Sequence, residues 1–117
     1  MKLQVKVSLA DDQDEEFCGP GLLQLLDGIR RTGSIQQAAK AMNLSYVKAL
    51  KILNRLEEAM GEPVLIRHKG GAERGSSTLT PFARIFMRDF VALRKTIQHD
   101  ARRASRAFLK QYERRGE

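Results

Sequence analysis

The spacing of hydrophobic residues changes from one stretch of this chain to the next, and each spacing predicts an element. Leu3, Val5, Val7 and Leu9 alternate with Lys2, Gln4, Lys6 and Ser8. A period of two predicts a half-buried strand. The acidic run of Asp11, Asp12, Asp14, Glu15 and Glu16 reads as a solvated loop. It lacks the glycine and the distant glutamate of an EF-hand, so calcium is not expected there. From Leu22 the period lengthens: Leu22, Leu25, Leu26 and Ile29 form one helical stripe. Pro20 suits the first turn of that helix, Arg30 and Arg31 the last, and Gly33 the left-handed stop.

Two short helices are expected next. Ser34 caps one, with Gln37 completing a capping box, and Ile35, Ala38, Ala39 and Met42 face inward. Asn43 tolerates the left-handed conformation that ends it. Ser45 caps the other, which runs to about Met60 with Ala49, Ile52, Leu53, Leu56 and Met60 inward, before Gly61 and Pro63. Residues 64–67 and 77–79 read as a hairpin whose tip holds Gly70, Gly71 and Gly75. Thr80 and Pro81 open a last helix. Its apolar positions Phe82, Ile85, Phe86, Phe90, Leu93, Ile97, Ala101, Ala104 and Phe108 recur at steps of three and four.

Helix, three-residue turn, helix is a helix-turn-helix, and the alanines at 38, 39 and 49 allow the two helices to cross closely. The expected fold is mainly α with a small β-sheet. Residues 1–80 would form a winged helix-turn-helix, with the N-terminal strand as a third member of the wing's sheet. Residues 81–117 would form a long C-terminal helix. About 30 residues of helix span roughly 45 Å, more than so small a domain can cover. Phe86, Phe90, Leu93, Ile97, Ala101, Ala104 and Phe108 are therefore expected to meet a second copy of the chain across a symmetric dimer.

Charge sharpens the reading. The chain of 117 residues carries a formal net charge of +7 and a pI near 10.0. Because the acidic residues cluster early, the remainder is more basic still, which points to a polyanionic partner. Tyr46, Lys48, Lys51 and Arg55 avoid the inward stripe of the third helix, near an N-terminal end whose open N–H groups already favour phosphate. Arg67, His68, Lys69 and Arg74 give the hairpin its own positive charge. A recognition helix in a major groove with a cationic wing beside it is the matching arrangement.

Residues 20–90 also resemble a known family. "TGSI" with paired alanines, "LSY" opening the third helix, "GGAERGSS" in the hairpin and "LTPFAR" opening the last helix are similar to the N-terminal domain of ModE-type molybdate-responsive regulators. More distantly they resemble LysR-type DNA-binding domains. The resemblance implies a homodimer that contacts operator DNA through Ser45, Tyr46, Lys48 and Lys51, and through Lys69 and Arg74, with Arg55 added from the polar face of the same helix. Ser34, Gln36 and Gln37 would touch phosphates. In that family molybdate is sensed by C-terminal oxyanion-binding domains, which these 117 residues do not include. The resemblance supports DNA binding and leaves molybdate sensing open.

Other chemistries find little support. His68, His99 and the one cysteine, Cys18, have no metal-ligand spacing. Residues 70–75 have the glycine spacing of a phosphate loop, but Ser76 stands where its lysine should be. No nucleophile, base and orienting acid stand out. Neither an enzyme nor a bound cofactor or metal is expected. No apolar run approaches the roughly 18 residues that cross a bilayer, and a single cysteine suits a reducing compartment, so the expected location is the cytoplasm. Two alternatives to a sequence-specific regulator stay open: a winged-helix protein-interaction module and a non-specific architectural binder of nucleic acid.

Overall fold

The leucine stripe of the first helix anchors the core. In the computed structural model, which describes residues 1–68 and 76–113, α1 (Pro20–Thr32) buries Leu22, Leu23, Leu25, Leu26 and Ile29. Gly33 ends it at a φ of 71°, its N–H donating to the Ile29 carbonyl at 2.8 Å. That is a left-handed conformation which a side chain would strain.

The next two helices, α2 (Ile35–Ala41) and α3 (Tyr46–Met60), are each capped by a serine. Ser34 Oγ accepts from the Gln37 N–H and Ser45 Oγ from the Lys48 N–H, both at 3.1 Å. The expected capping box is half made. The Ser34 N–H donates to Thr32 Oγ1 at 3.2 Å instead, and the Gln37 side chain stays exposed. Small residues let the three helices close. A Cβ built on Gly28 would stand 2.9 Å from Ala38 Cβ and 3.3 Å from its Cα. Ala38, Ala39 and Ala49 are all buried. Between α2 and α3, Asn43 takes a φ of 57°, and the Leu44 N–H donates to the Ala39 carbonyl at 2.9 Å.

The wing strands β3 (Leu65–His68) and β4 (Ser76–Leu79) pair antiparallel, from Leu65↔Leu79 to His68↔Ser76. Their base is bonded to the helices. The Val64 N–H donates to Glu57 Oε2 at 2.8 Å, and the Ser77 N–H to the Gly33 carbonyl at 2.7 Å. Thr80 adds its N–H to the Val64 carbonyl and its hydroxyl to the Pro63 carbonyl. The start of the wing is thereby held to the end of α3 and to the α1–α2 junction.

The N-terminal stretch corrects the sequence reading. Its ladder is confined to β1 (Leu9–Ala10) and pairs with β2 (Glu16–Cys18), a strand hidden at the end of the acidic run. These form a sheet of their own, separate from the wing. The cause is local. Asp11 Oδ1 accepts the N–H groups of Gln13 and Glu15, Asp14 sits at a φ of 64°, and the chain turns straight back on itself. Alternation survives as sidedness: Val5, Val7 and Leu9 are half-buried and Lys2, Gln4, Lys6 and Ser8 exposed. Leu3, read as inward, is exposed.

Thr80 Oγ1 accepts the Ala83 N–H to open α4 (Pro81–Gln111). Its 31 residues run about 46 Å and give the molecule its longest extent of 64 Å. The helix joins the core through Ala83 and Phe90, with Phe82, Phe86, Met87 and Val91 against them. Past Phe90 none of its described residues is buried.

Candidate nucleic-acid interface

Burial of Ala49, Leu53 and Leu56 fixes which way α3 faces. With 100° between residues, the opposite side carries Val47, Lys51, Asn54 and Glu58, edged by Lys48 and Arg55, while Tyr46 stands in the first turn nearer the buried side. All seven are exposed; Tyr46 is 45% and Val47 61% accessible. Neither Lys48 nor Lys51 has an acidic partner among the described residues. Both cations therefore add to the positive end of the helix dipole.

Arg55 is placed differently from the lysines. Its Nη2 donates to the Glu16 carbonyl at 2.9 Å and lies 3.4 Å from Glu15 Oε2. The hairpin β1–β2, with its acidic loop, is thus clasped to the C-terminal half of α3. Replacing Arg55 by alanine is expected to lower stability by about 1 kcal/mol, since the bonds are half exposed. The salt dependence of DNA binding should not change. A salt slope reduced by about one would return Arg55 to a phosphate, which titration of affinity against salt would reveal.

Two cations at the end of α1 are already engaged. Asp27 binds Arg30 at 2.8 Å and Arg31 at 3.0 Å. The hydrogen bond from Arg30, reinforced by Arg31, holds the Asp27 carboxyl below its usual range. On the wing, Arg67 and His68 are exposed, with His68 Nε2 3.2 Å from Thr78 Oγ1. Lys69 and Arg74 lie outside the described residues. Gln36 and Gln37 are exposed at the start of α2, while the Ser34 hydroxyl serves as its cap.

Sequence reasoning overlooked Val47 and Asn54. The signal was there: Val47 and Asn54 stand four before and three after Lys51, so one face must carry all three. Along α4, Phe90 belongs to the chain's own core and offers no surface. Phe86, Ile97 and Ala101 are half-buried, and Leu93, Ala104 and Phe108 are exposed.

Among the described residues, no group of three His, Cys, Asp or Glu side chains could hold a metal ion, and no helix is long and apolar enough to cross a membrane. Burial pushes the Cys18 thiol up to about 11, with the nearby Glu16 charge adding to it. That sulfur is not a nucleophile near neutral pH.

A three-helix unit with a helix-turn-helix at α2–α3 and the wing hairpin β3–β4 is a winged helix-turn-helix. The sequence profile described as "Bacterial regulatory helix-turn-helix protein, lysR family" matches residues 21–84, more than half of the chain. The chain belongs to that family. It is 33% identical over 87 residues to the transcriptional regulator ModE of Haemophilus influenzae, a match covering 74% of this chain and 34% of that protein. It is 35% identical over 71 residues to the molybdenum transport protein ModE of Azotobacter vinelandii, covering 61% and 26%. The chain thus spans about a third or less of the length of these relatives. Among solved structures, the CbnR DNA-binding domain in its DNA complex superposes with a TM-score of 0.58 at 20% identity, over 74% of this chain and 93% of that one. A probable transcriptional regulator of Pseudomonas aeruginosa gives a TM-score of 0.51 at 18% identity, over 68% and 25%. These two likenesses bear on the fold.

Proposed function

We propose that this chain binds double-stranded operator DNA as a homodimer, as the DNA-binding part of a transcriptional regulator. The observation that carries the reading is the exposed, cationic N-terminal half of α3. Tyr46, Lys48 and Lys51 project from it with no acidic partner among the described residues. In this reading α3 enters the major groove, where lysine pairs with guanine O6 and N7 or with phosphate. Ser45 at the helix start, Ser34, Gln36 and Gln37 at α2, and Lys69 and Arg74 of the wing contact the sugar-phosphate backbone. The far half of α4, through Leu93, Ile97, Ala101, Ala104 and Phe108, meets its counterpart and sets the spacing of two half-sites. The chain spans about a third or less of the ModE proteins it matches, so the proposal stops at DNA and takes in no oxyanion.

The test is selection of binding sites from random duplexes, followed by competition. A sequence-specific regulator should prefer its selected site over scrambled DNA by about 10³ or more at physiological salt. Equal affinity for all duplexes would indicate an architectural binder, and no affinity a protein-interaction module. Lys51→Ala is expected to cost about 1–3 kcal/mol on the selected site and to relax preference at one base pair. A uniform loss on every sequence would assign Lys51 to phosphate.

A further inference from the structure

Val47 is the one apolar side chain on the outward face of α3 between Tyr46 and Glu58. Isolated exposed valines are ordinary on protein surfaces, but this one has an unusual setting. It stands in the first turn, 61% accessible, one turn before Lys51 and next to Lys48. Its β-branched side chain has one strongly preferred rotamer in a helix. A fixed methyl pair is therefore presented on the surface that the DNA reading turns towards base edges.

The rest of the helix narrows what that surface can meet. Farther along, Arg55 is held by the Glu16 carbonyl and Glu15, and the exposed carboxylates of residues 11–16 accompany that hairpin. Negative charge beside the C-terminal half of α3 disfavours phosphates there, so close approach falls to the first two turns. Within a major groove, the apolar group on a base edge is the C5-methyl of thymine, flanked by donors and acceptors.

We propose that Val47 determines specificity at one position of the site by packing against a thymine C5-methyl group, beside the contact made by Lys51. This rests on the DNA-binding reading above and names the base it selects. Val47 contributes nothing to the buried core, so Val47→Ala should keep the fold, and alanine also favours helix.

The experiment replaces each thymine of the selected site in turn by deoxyuridine, which pairs identically and lacks the methyl. The natural chain should show a thymine at which this replacement weakens binding by about 3- to 10-fold, the loss of one buried methyl. Val47→Ala should bind the thymine and uracil forms of that position equally, with unchanged salt dependence and a melting temperature no lower than the natural chain's. The inference is overturned if no thymine in the site is sensitive to the replacement, or if Val47→Ala keeps the full sensitivity. A chain that selects no duplex at all would sink the DNA reading itself, a result distinguishable from either.

Discussion

Gly28→Leu is expected to cost the fold about 3 kcal/mol or more, and Gly28→Ala about 1–2 kcal/mol, against intrinsic helix preference. In an open helix alanine is better than glycine by about 1 kcal/mol. Here a Cβ would stand 2.9 Å from Ala38 Cβ and 3.3 Å from its backbone Cα, and neither atom can swing aside. Overpacking of this kind typically costs 1–3 kcal/mol, outweighing the propensity gain. Because the contact joins α1 to α2, the strain would also shift the platform that orients α3. Chemical denaturation would measure the loss. Adding Ala38→Gly removes the nearer clash and should restore part of the stability of Gly28→Ala, a coupling that a double-mutant cycle resolves. A Gly28→Ala chain more stable than the natural one would show that α1 and α2 do not approach this closely.

The second large effect is expected at the far end of the molecule. From Val91 to Gln111 the last helix continues for about 30 Å with none of its residues buried. Leu93 and Phe108 are 45% and 62% accessible, and the Phe108 ring lies 5.0 Å from that of Tyr112. Apolar groups repeated along a helix that buries none of them suit a second helix, and a two-fold pair would double the contacts made with a two-part site. Leu93→Lys is expected to turn a micromolar dimer into monomers in sedimentation and to weaken binding to the full site by about a hundredfold or more, as one half-site no longer reinforces the other. Leu93 is outside the buried core, so the monomer's melting should change little. A dimer that persists in the variant would move the interface elsewhere. A natural chain that sediments as a monomer would remove it.

Local order was the part of this fold legible in the sequence. Ser34, Ser45 and Thr80 cap their helices, and Gly33 and Asn43 take left-handed conformations. Such signals act within four residues, and their physics does not depend on what packs around them. Pairing between distant segments was harder. Alternation at residues 2–9 reported sidedness correctly for all but Leu3, yet could not say which edge the strand would meet. The Asp11 turn decided that, in favour of Glu16–Cys18. Arg55 shows the same limit. Spacing placed it on the outward face, where it is, but only the folded chain brings the Glu16 carbonyl, 39 residues away, to its guanidinium. Phe90 shares the period of the expected dimer stripe. In the structure that period serves two surfaces in turn, the chain's own core as far as Phe90 and a helix with no buried residue beyond it.

The first two turns of α3 are expected to lie in a major groove. Methylation protection tests it most directly, because dimethyl sulfate attacks guanine N7 in that groove and adenine N3 in the minor one. On the selected site, the natural chain should shield guanine N7 atoms in each half-site, and Lys51→Ala should re-expose one of them. Tight binding that leaves every guanine N7 of the site reactive would contradict it.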